Sequence, residues 1–408
     1  MKYCFIISNA RLDYFRIEKI MKELENPPEF ILIFSNRTSH NIPDSFCNKM
    51  KEVFRVDLQD FETCKGIIDK FITKDCTASI VCTDEVLLQT AAELRQYYYL
   101  QGPLPYEYIP FNNKTTMKHI LNAGGVRTPR FIDLDFKSAY NNLKEYHRFI
   151  SGLLQSPYII KPVNSGACEG IGKIREENDL IDWYTTVYQQ DLEYTAEEFI
   201  EGIAYHCDSF VVNKEILFQG VCQYMVPCLD FLSGKNIGSY LIDKNTLLYR
   251  KIIEFNERVI ELMQPPDGAT HLEFFINFDE ELIFLEIGAR PPGKKACLCY
   301  EKSYGMNLYE LTLRRALGLM LPNEIEMNRP SGCITFSSSP GTITQLNLPL
   351  LKSKTEWDWR IQVSHEILAY PSCINEGIAA ELFIYNDCYK ELMDDIAILK
   401  DYKVYLCS

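Results

Sequence analysis

From His271 to Gly293 the chain reads His-Leu-Glu-Phe-Phe-Ile-Asn-Phe-Asp-Glu-Glu-Leu-Ile-Phe-Leu-Glu-Ile-Gly-Ala-Arg-Pro-Pro-Gly. Two apolar runs flank Asp279-Glu280-Glu281, the pattern of a β-hairpin with a solvated turn. With the turn centred between Asp279 and Glu280, a two- or four-residue loop puts Glu273 directly opposite Glu286. Cross-strand partners sit roughly 4.5–5.5 Å apart at Cβ. The period of two places His271, Glu273, Glu286, Gly288 and Arg290 on one face. Two carboxylates opposed on an otherwise apolar hairpin repel, so something must offset them. Mg2+ (or Mn2+) bridging them to substrate phosphates would do so, and Arg290 suits phosphate or carboxylate oxygens. Spacing leaves open a plainer arrangement, with Glu273 facing solvent and Glu286 paired to Arg290.

A second group of residues could handle phosphate. Ser156–Pro162 reads as a short buried strand carrying Lys161, followed by Asn164-Ser165-Gly166-Ala167-Cys168-Glu169-Gly170-Ile171-Gly172. A strand lysine before a Gly-rich turn can set an ammonium and backbone N–H groups on phosphate oxygens. It is not a P-loop, since G-x-x-x-x-G-K-[ST] is absent, and a plain Gly-rich hairpin fits as well. Lys114 opens a helix and reads alone as a surface lysine. Tyr194–Gly202 reads alone as an acidic edge strand. Lys294-Lys295 is a candidate to meet a substrate carboxylate, with two solvated lysines as the plainer reading.

These residues need a scaffold. The expected class is α/β, with α+β parts. Residues 1–105 alternate short apolar runs (Tyr3–Ser8, Phe30–Phe34, Val53–Val56, Ser79–Cys82) with amphipathic stretches (Tyr14–Leu24, Phe61–Phe71). That alternation predicts a small doubly wound parallel sheet. G-x-G-x-x-G does not follow the first strand, so a dinucleotide fingerprint is absent. Gln101-Gly102-Pro103-Leu104-Pro105 punctuates its end. A helix over Lys114–Ala123 stops at Gly124-Gly125. Residues 106–320 hold every chemical motif. Residues 321–408 form a β-rich segment, with strands over Ile334–Ser337, Gln362–Ala369 and Ile378–Tyr385 and a helix over Cys388–Leu399.

Composition sets outer limits. The 408 residues exceed one ordinary core. A formal charge of −14 disfavours nucleic-acid binding and demands that any phosphate site be locally basic or metal-assisted. No apolar run is long enough for a membrane helix, and the apolar start, broken by Asn9, Arg11 and Asp13, reads as a strand rather than a signal peptide. The 15 cysteines include no C-x-x-C pair and fit reduced, mostly buried thiols of a cytoplasmic protein. Cys297-Leu298-Cys299 lacks two further ligands at zinc spacing.

Taken in order, the set resembles the ATP-grasp superfamily across nearly the whole chain. The residues that carry this are Thr83-Asp84-Glu85 with Ala91-Ala92-Glu93-Leu94, Asn113-Lys114 with Met117-Lys118, Gly125–Phe131, Tyr158–Pro162 with the Gly loop, Glu197–Gly202, His271-x-Glu273, and Glu286-Ile287-x-x-Arg290-Pro291-x-Gly293. The spelling is most similar to L-amino acid (dipeptide) ligases and carnosine-synthase-like enzymes. The resemblance implies an ATP-grasp fold: an N-terminal doubly wound parallel-sheet domain over 1–105, the ATP-grasp domain over 106–320 with a lid over about 126–202, and a C-terminal β-rich subdomain over 321–408. It also implies ATP as cosubstrate and an amide bond formed through an acyl phosphate. Lys114 and Lys161 would contact ATP, and Ser165, Gly166 and Gly170 would close over its phosphates. Glu197, Glu198, Phe199 and Ile200 would form the adenine hinge, largely through backbone groups. Glu273 and Glu286 would ligate Mg2+, while Arg290 and Lys161 would act in catalysis. Partners would be small-molecule substrates and, as in relatives, a second copy in a homodimer.

The chain departs from the family pattern at three places. Ala204 stands where relatives often carry a ribose-binding Glu, Gly288 where Asn is common, and Cys168-Glu169 where the loop is usually small or basic. Two other readings keep the fold: transfer to a carrier-protein thiol or a bicarbonate-derived acceptor, and a non-catalytic nucleotide-binding scaffold.

Overall fold

The computed structural model describes every residue except 1, 10–11, 38–41, 43, 74–75, 140–141, 167, 294, 324–328 and 371–376. Ala167 and Lys294 of the readings above therefore lie outside the described residues.

The first unit is a parallel sheet of β1 (Lys2–Ser8), β2 (Glu29–Ser35), β3 (Glu52–Val56) and β4 (Thr77–Cys82), in the order β3-β2-β1-β4. β1 and β2 are buried at six of their seven positions, as strands covered on both faces must be. The helix expected over Tyr14–Leu24 is broken. A 3-10 turn at Leu12–Phe15 gives way to a helix at Ile17–Glu23. Between them Arg16 has φ 51°, and its guanidinium binds Glu301 at 2.7 Å. An ion pair nearly 300 positions away in sequence explains a break that local periodicity does not show.

A second, antiparallel sheet is made of β5 (Phe131–Leu134), β6 (Tyr158–Pro162), β7 (Gly172–Ile174) and β8 (Tyr194–Glu198), in the order β5-β8-β6-β7. It packs around its own small core, which includes Phe136, Tyr158, Ile160 and Trp183. Gly172 lies against Trp183 so closely that a Cβ there would come within 2.4 Å of the indole.

The largest sheet takes its strands from β9 (Gly202–Val212), β10 (Glu215–Tyr224), β11 (Ile237–Leu241), β12 (Gly268–Asn277), β13 (Leu282–Gly288) and β14 (Ser331–Ser337). It continues into the C-terminal segment, where β15 (Gly341–Leu346), β16 (Lys354–Trp359), β17 (Glu366–Ile367), β18 (Ile378–Tyr385) and β19 (Tyr405–Cys407) follow. Its order is β13-β12-β9-β10-β11-β14-β18-β16, and β17-β15-β19 form a small sheet beside it. The strand expected over Gln362–Ala369 shrinks to Glu366–Ile367, because the segment is mostly exposed and turns at Ser364, where φ is 71°. One apolar core joins Phe5, Ile33 and Leu94 of the first unit to Leu272, Phe284 and Ile287 of the hairpin. The described residues contain no helix long and apolar enough to cross a membrane, and no disulfide joins their cysteines.

Candidate active site

The hairpin β12–β13 pairs Glu273 with Glu286 and His271 with Gly288, the partners expected from spacing. The route differs. The turn is a three-residue loop: Asn277 N–H donates to Glu281 O at 3.1 Å, and Glu280 takes a left-handed φ of 61°. Near the turn this slips the register by one, so Phe274 pairs with Phe284. Leu285 is then an extra residue, a β-bulge that restores the register before Glu286. Phe284 consequently faces the core and is fully buried, while Leu285 is only partly covered.

Behind Glu273 lies a buried polar network. Asp208 on β9 accepts from His206 Nδ1 at 2.6 Å and from His271 Nδ1 at 2.5 Å, and from the Tyr300 hydroxyl. His206 Nε2 meets Ser239 Oγ at 2.9 Å. His271 Nε2 lies 3.4 Å from Glu273 Oε1, which also accepts from the Tyr224 hydroxyl. Burial pushes the Asp208 carboxyl up, but its two histidines outweigh that and hold it well below the carboxylate range. Burial likewise works against ionised Glu273, and His271 and Tyr224 overcome it, so Glu273 stays anionic. His206, Asp208 and His271 have the donor types of a metal site. Their facing ring nitrogens and carboxylate oxygens are spent on one another, so hydrogen bonding explains them without an ion.

A second buried group joins the β5-β8-β6-β7 sheet to the helix Lys114–Ala123. Glu197 on β8 pairs with Lys118 Nζ at 2.8 Å and Lys161 Nζ at 2.9 Å. All three are almost fully buried. Burial lowers Lys118 to about 8 against the pull of Glu197. Burial also works against a charged Lys161, but Glu197, Glu286 and Glu273 outweigh it and raise its pKa. Glu198, one residue on, faces the other way and binds Arg127 at 3.0 Å and Arg130 at 3.3 Å. Its side chain is committed to these two arginines. Phe199 lies under Lys173, whose ammonium is 3.6 Å from the ring centre, and Ile200 is buried.

A cavity of about 370 Å³ opens between the first unit, the helix, the Gly loop and β13. Lys114, Ser165, Gly166, His271, Glu286 and Arg290 line it, with Glu85 from the first unit. Lys114 Nζ donates to the Ser165 carbonyl and lies 3.6 Å from Glu286 Oε2. Arg290 Nε donates to Glu85 Oε2 at 2.6 Å. Lys161, Glu197 and Glu273 are not among the lining residues; Lys161 and Glu197 stand behind it as the buried ion pairs. Gly170 has φ 72°, and a Cβ there would come within 2.8 Å of Pro162, so the loop needs glycine at that turn.

Sequence reasoning gave no role to Glu85, Lys118, Asp208 or Tyr224. Lys118 carried a signal, since it lies one helical turn beyond Lys114 and so on the same face. His206-x-Asp208 on a strand mirrors His271-x-Glu273, but pairing β9 with β12 requires the fold.

Residues 111–294 match the family model for the ATP-grasp domain. The chain is 26% identical over 315 residues to an L-arginine-specific L-amino acid ligase of Bacillus subtilis, a match covering 71% of this chain and 70% of that protein. A D-alanine–D-alanine ligase of Ruminiclostridium cellulolyticum is 24% identical over 191 residues, 44% of this chain and half of its own length. The crystal structure of an L-amino acid ligase from Bacillus licheniformis superposes with a TM-score of 0.79 at 17% identity, covering 100% of this chain and 99% of that one. The ADP complex of an N5-carboxyaminoimidazole ribonucleotide synthetase gives 0.70 at 11% identity over 98% and 96% of the two chains. These two structural likenesses establish the ATP-grasp fold.

Proposed function

We propose that this protein is an ATP-dependent carboxylate–amine ligase that joins amino acids through an acyl phosphate, releasing ADP and phosphate. The observation that carries the reading is the meeting of Lys114, the Gly loop, Glu286 and Arg290 around one cavity. A substrate carboxylate oxygen attacks the γ-phosphorus of ATP, and the bond to the ADP oxygen breaks. Negative charge grows on the transferred oxygens, where the fixed charges of Lys114 and Arg290 offset it without reorganising. The amine nitrogen then attacks the acyl carbon, phosphate leaves with the bonding pair, and the amine proton passes to solvent.

Glu273 and Glu286 offer only oxygen donors, and Glu273 is held ionised, which fits a hard cation. Mg2+ (or Mn2+) bound there would supply charge neutralisation on the phosphate oxygens. Lys161, anchored by Glu197, reaches the nucleotide from behind the loop. Residues 197–200 serve the adenine through backbone groups, and Ser165, Gly166 and Gly170 close over the phosphates to keep water from the acyl phosphate.

The division into 1–105, 106–320 and 321–408 assigns the middle unit to nucleotide and metal, with about 126–202 as its lid. The working compartment is the cytoplasm, where the many thiols stay reduced. A homodimer is checked by sedimentation.

The test is a matrix of L-amino acid pairs with Mg·ATP, scored for phosphate and product mass. Substrate-dependent ADP and a dipeptide mass are expected. Phosphate release that needs a carrier-protein thiol would move the acceptor to sulfur. Nucleotide binding with no substrate-dependent ADP would make the protein a scaffold.

A further inference from the structure

The register of the largest sheet lays two rungs of residues on one face. Glu286, Glu273 and His206 are partners across β13, β12 and β9 in the first, and Gly288, His271 and Asp208 in the second. Residues two apart on a strand share a face, so the rungs lie side by side. On β10, Gly220 stands opposite Asp208. A Cβ there would come within 2.5 Å of the Tyr300 ring, so glycine admits Tyr300, whose hydroxyl donates to Asp208 Oδ2. His206 Nδ1 meets the same oxygen at 2.6 Å, and Oδ1 faces His271 Nδ1 at 2.5 Å. Both oxygens of Asp208 are spent.

Glu273 is treated differently. Its Oε1 accepts from the Tyr224 hydroxyl and lies 3.4 Å from His271 Nε2. Among the described residues nothing hydrogen-bonds its Oε2. The terminal torsion of a glutamate is broad, so two partners on one oxygen determine which oxygen is left over. The side chain is only 17% exposed, and protein groups rather than bulk water set its angle. Tyr224 is placed by the same patch, its ring tilted against His206 at 4.9 Å between centres.

We propose that Tyr224 and Asp208 are positioning residues of the cation site: Tyr224 directly, and Asp208 through His271, hold Oε1 of Glu273 and leave Oε2 for the cation. This deepens the ligase reading and rests on Glu273 as a cation ligand. Neither residue touches the cation or the nucleotide. Their contribution is preorganisation, since a carboxylate already held at its angle gives up less rotational freedom on binding. Partners that orient a metal ligand in this way typically carry 10- to 100-fold of metal affinity.

The test reads binding, so it stands apart from turnover. A β,γ-methylene ATP analogue is titrated calorimetrically into the full protein, once with Mn2+ and once with EDTA. The readout is the factor by which Mn2+ tightens binding. Tyr224→Phe removes one oxygen and keeps the ring; it should cut that factor about 10-fold or more. Metal-free binding should stay within about 2-fold of wild type, the scatter of independent sites. Asp208→Asn slackens His271 and should lower the factor in the same sense, which settles the matter if Tyr224→Phe does not fold. Both act through Glu273, so adding Tyr224→Phe to Glu273→Gln should cost less than about 2-fold beyond Glu273→Gln alone. Three results overturn the proposal and leave Glu273 as a cation ligand: a factor lost in Glu273→Gln but kept in Tyr224→Phe, metal-free binding that falls as far as metal-bound binding, or losses that add in the double variant. A factor unchanged in Glu273→Gln removes the cation reading itself, and the proposal with it.

Discussion

Glu273 and Glu286 are register partners on β12 and β13, although the turn that joins their strands is one residue out of step with that pairing. The bulge at Leu285 makes up the difference and turns both carboxylates to the same face. Such bulges re-aim side chains beside functional sites.

If the two acids serve the transferred phosphoryl group, Glu286→Ala and Glu273→Ala should each lower substrate-dependent ADP formation about 100-fold or more. The melting temperature of Glu286→Ala should stay close to wild type. Coupled-enzyme assays at saturating Mg·ATP check this, and near-normal turnover by Glu286→Ala would refute the assignment.

The bulge itself has a thermodynamic signature. Phe284 is fully buried and Leu285 is not. Phe284→Ala should cost about 3–5 kcal/mol by removing a core ring, and Leu285→Ala should cost about 1 kcal/mol. A regular hairpin would exchange the two, so urea denaturation of both variants tells the registers apart.

Adjacent acids on β8 should behave differently. Glu197→Gln weakens the anchor of two buried ammonium groups, a loss of about 3–5 kcal/mol where a buried pair loses one partner, and it should raise the KM for ATP. Glu198→Gln loosens half-exposed pairs with Arg127 and Arg130 and should cost at most about 1 kcal/mol. Its KM for ATP should move less than about 2-fold, since that loss is small. Steady-state kinetics with ATP varied distinguishes them.

Lys118 gives a pH dependence. Burial lowers it to about 8 in the folded protein, from the 10.5 of a freely solvated lysine. Below pH 8 both states are protonated and folding carries the full desolvation cost. Between about 8 and 10.5 the unfolded chain holds a proton that the folded one has shed, so stability rises with pH. Wild type should therefore gain on Lys118→Met across that window. Paired thermal melts at each pH measure the difference, and a flat or falling difference would contradict the lowered pKa.

Several elements were legible because local forces decide them. The helix Lys114–Ala123 falls on its expected bounds, the strand expected over Ser156–Pro162 begins at Tyr158 instead, and the four parallel strands lie within a few residues of theirs. Hydrophobic period and Gly punctuation carry that information. The broken helix at Arg16 was not legible, because its cause is Glu301.

Residue identity and order determined the chemistry on offer: paired acids on a hairpin, a lysine before a glycine loop, and an arginine after the second acid. Those follow from side-chain type and the two-residue period of a strand, which act within a few positions. Which charges are spent and which face the cavity was decided by long-range packing. Only the folded chain brings Glu85 to Arg290, Lys118 to Glu197 and Asp208 to His271, because Coulomb and desolvation energies depend on distance and burial, and a linear chain has neither.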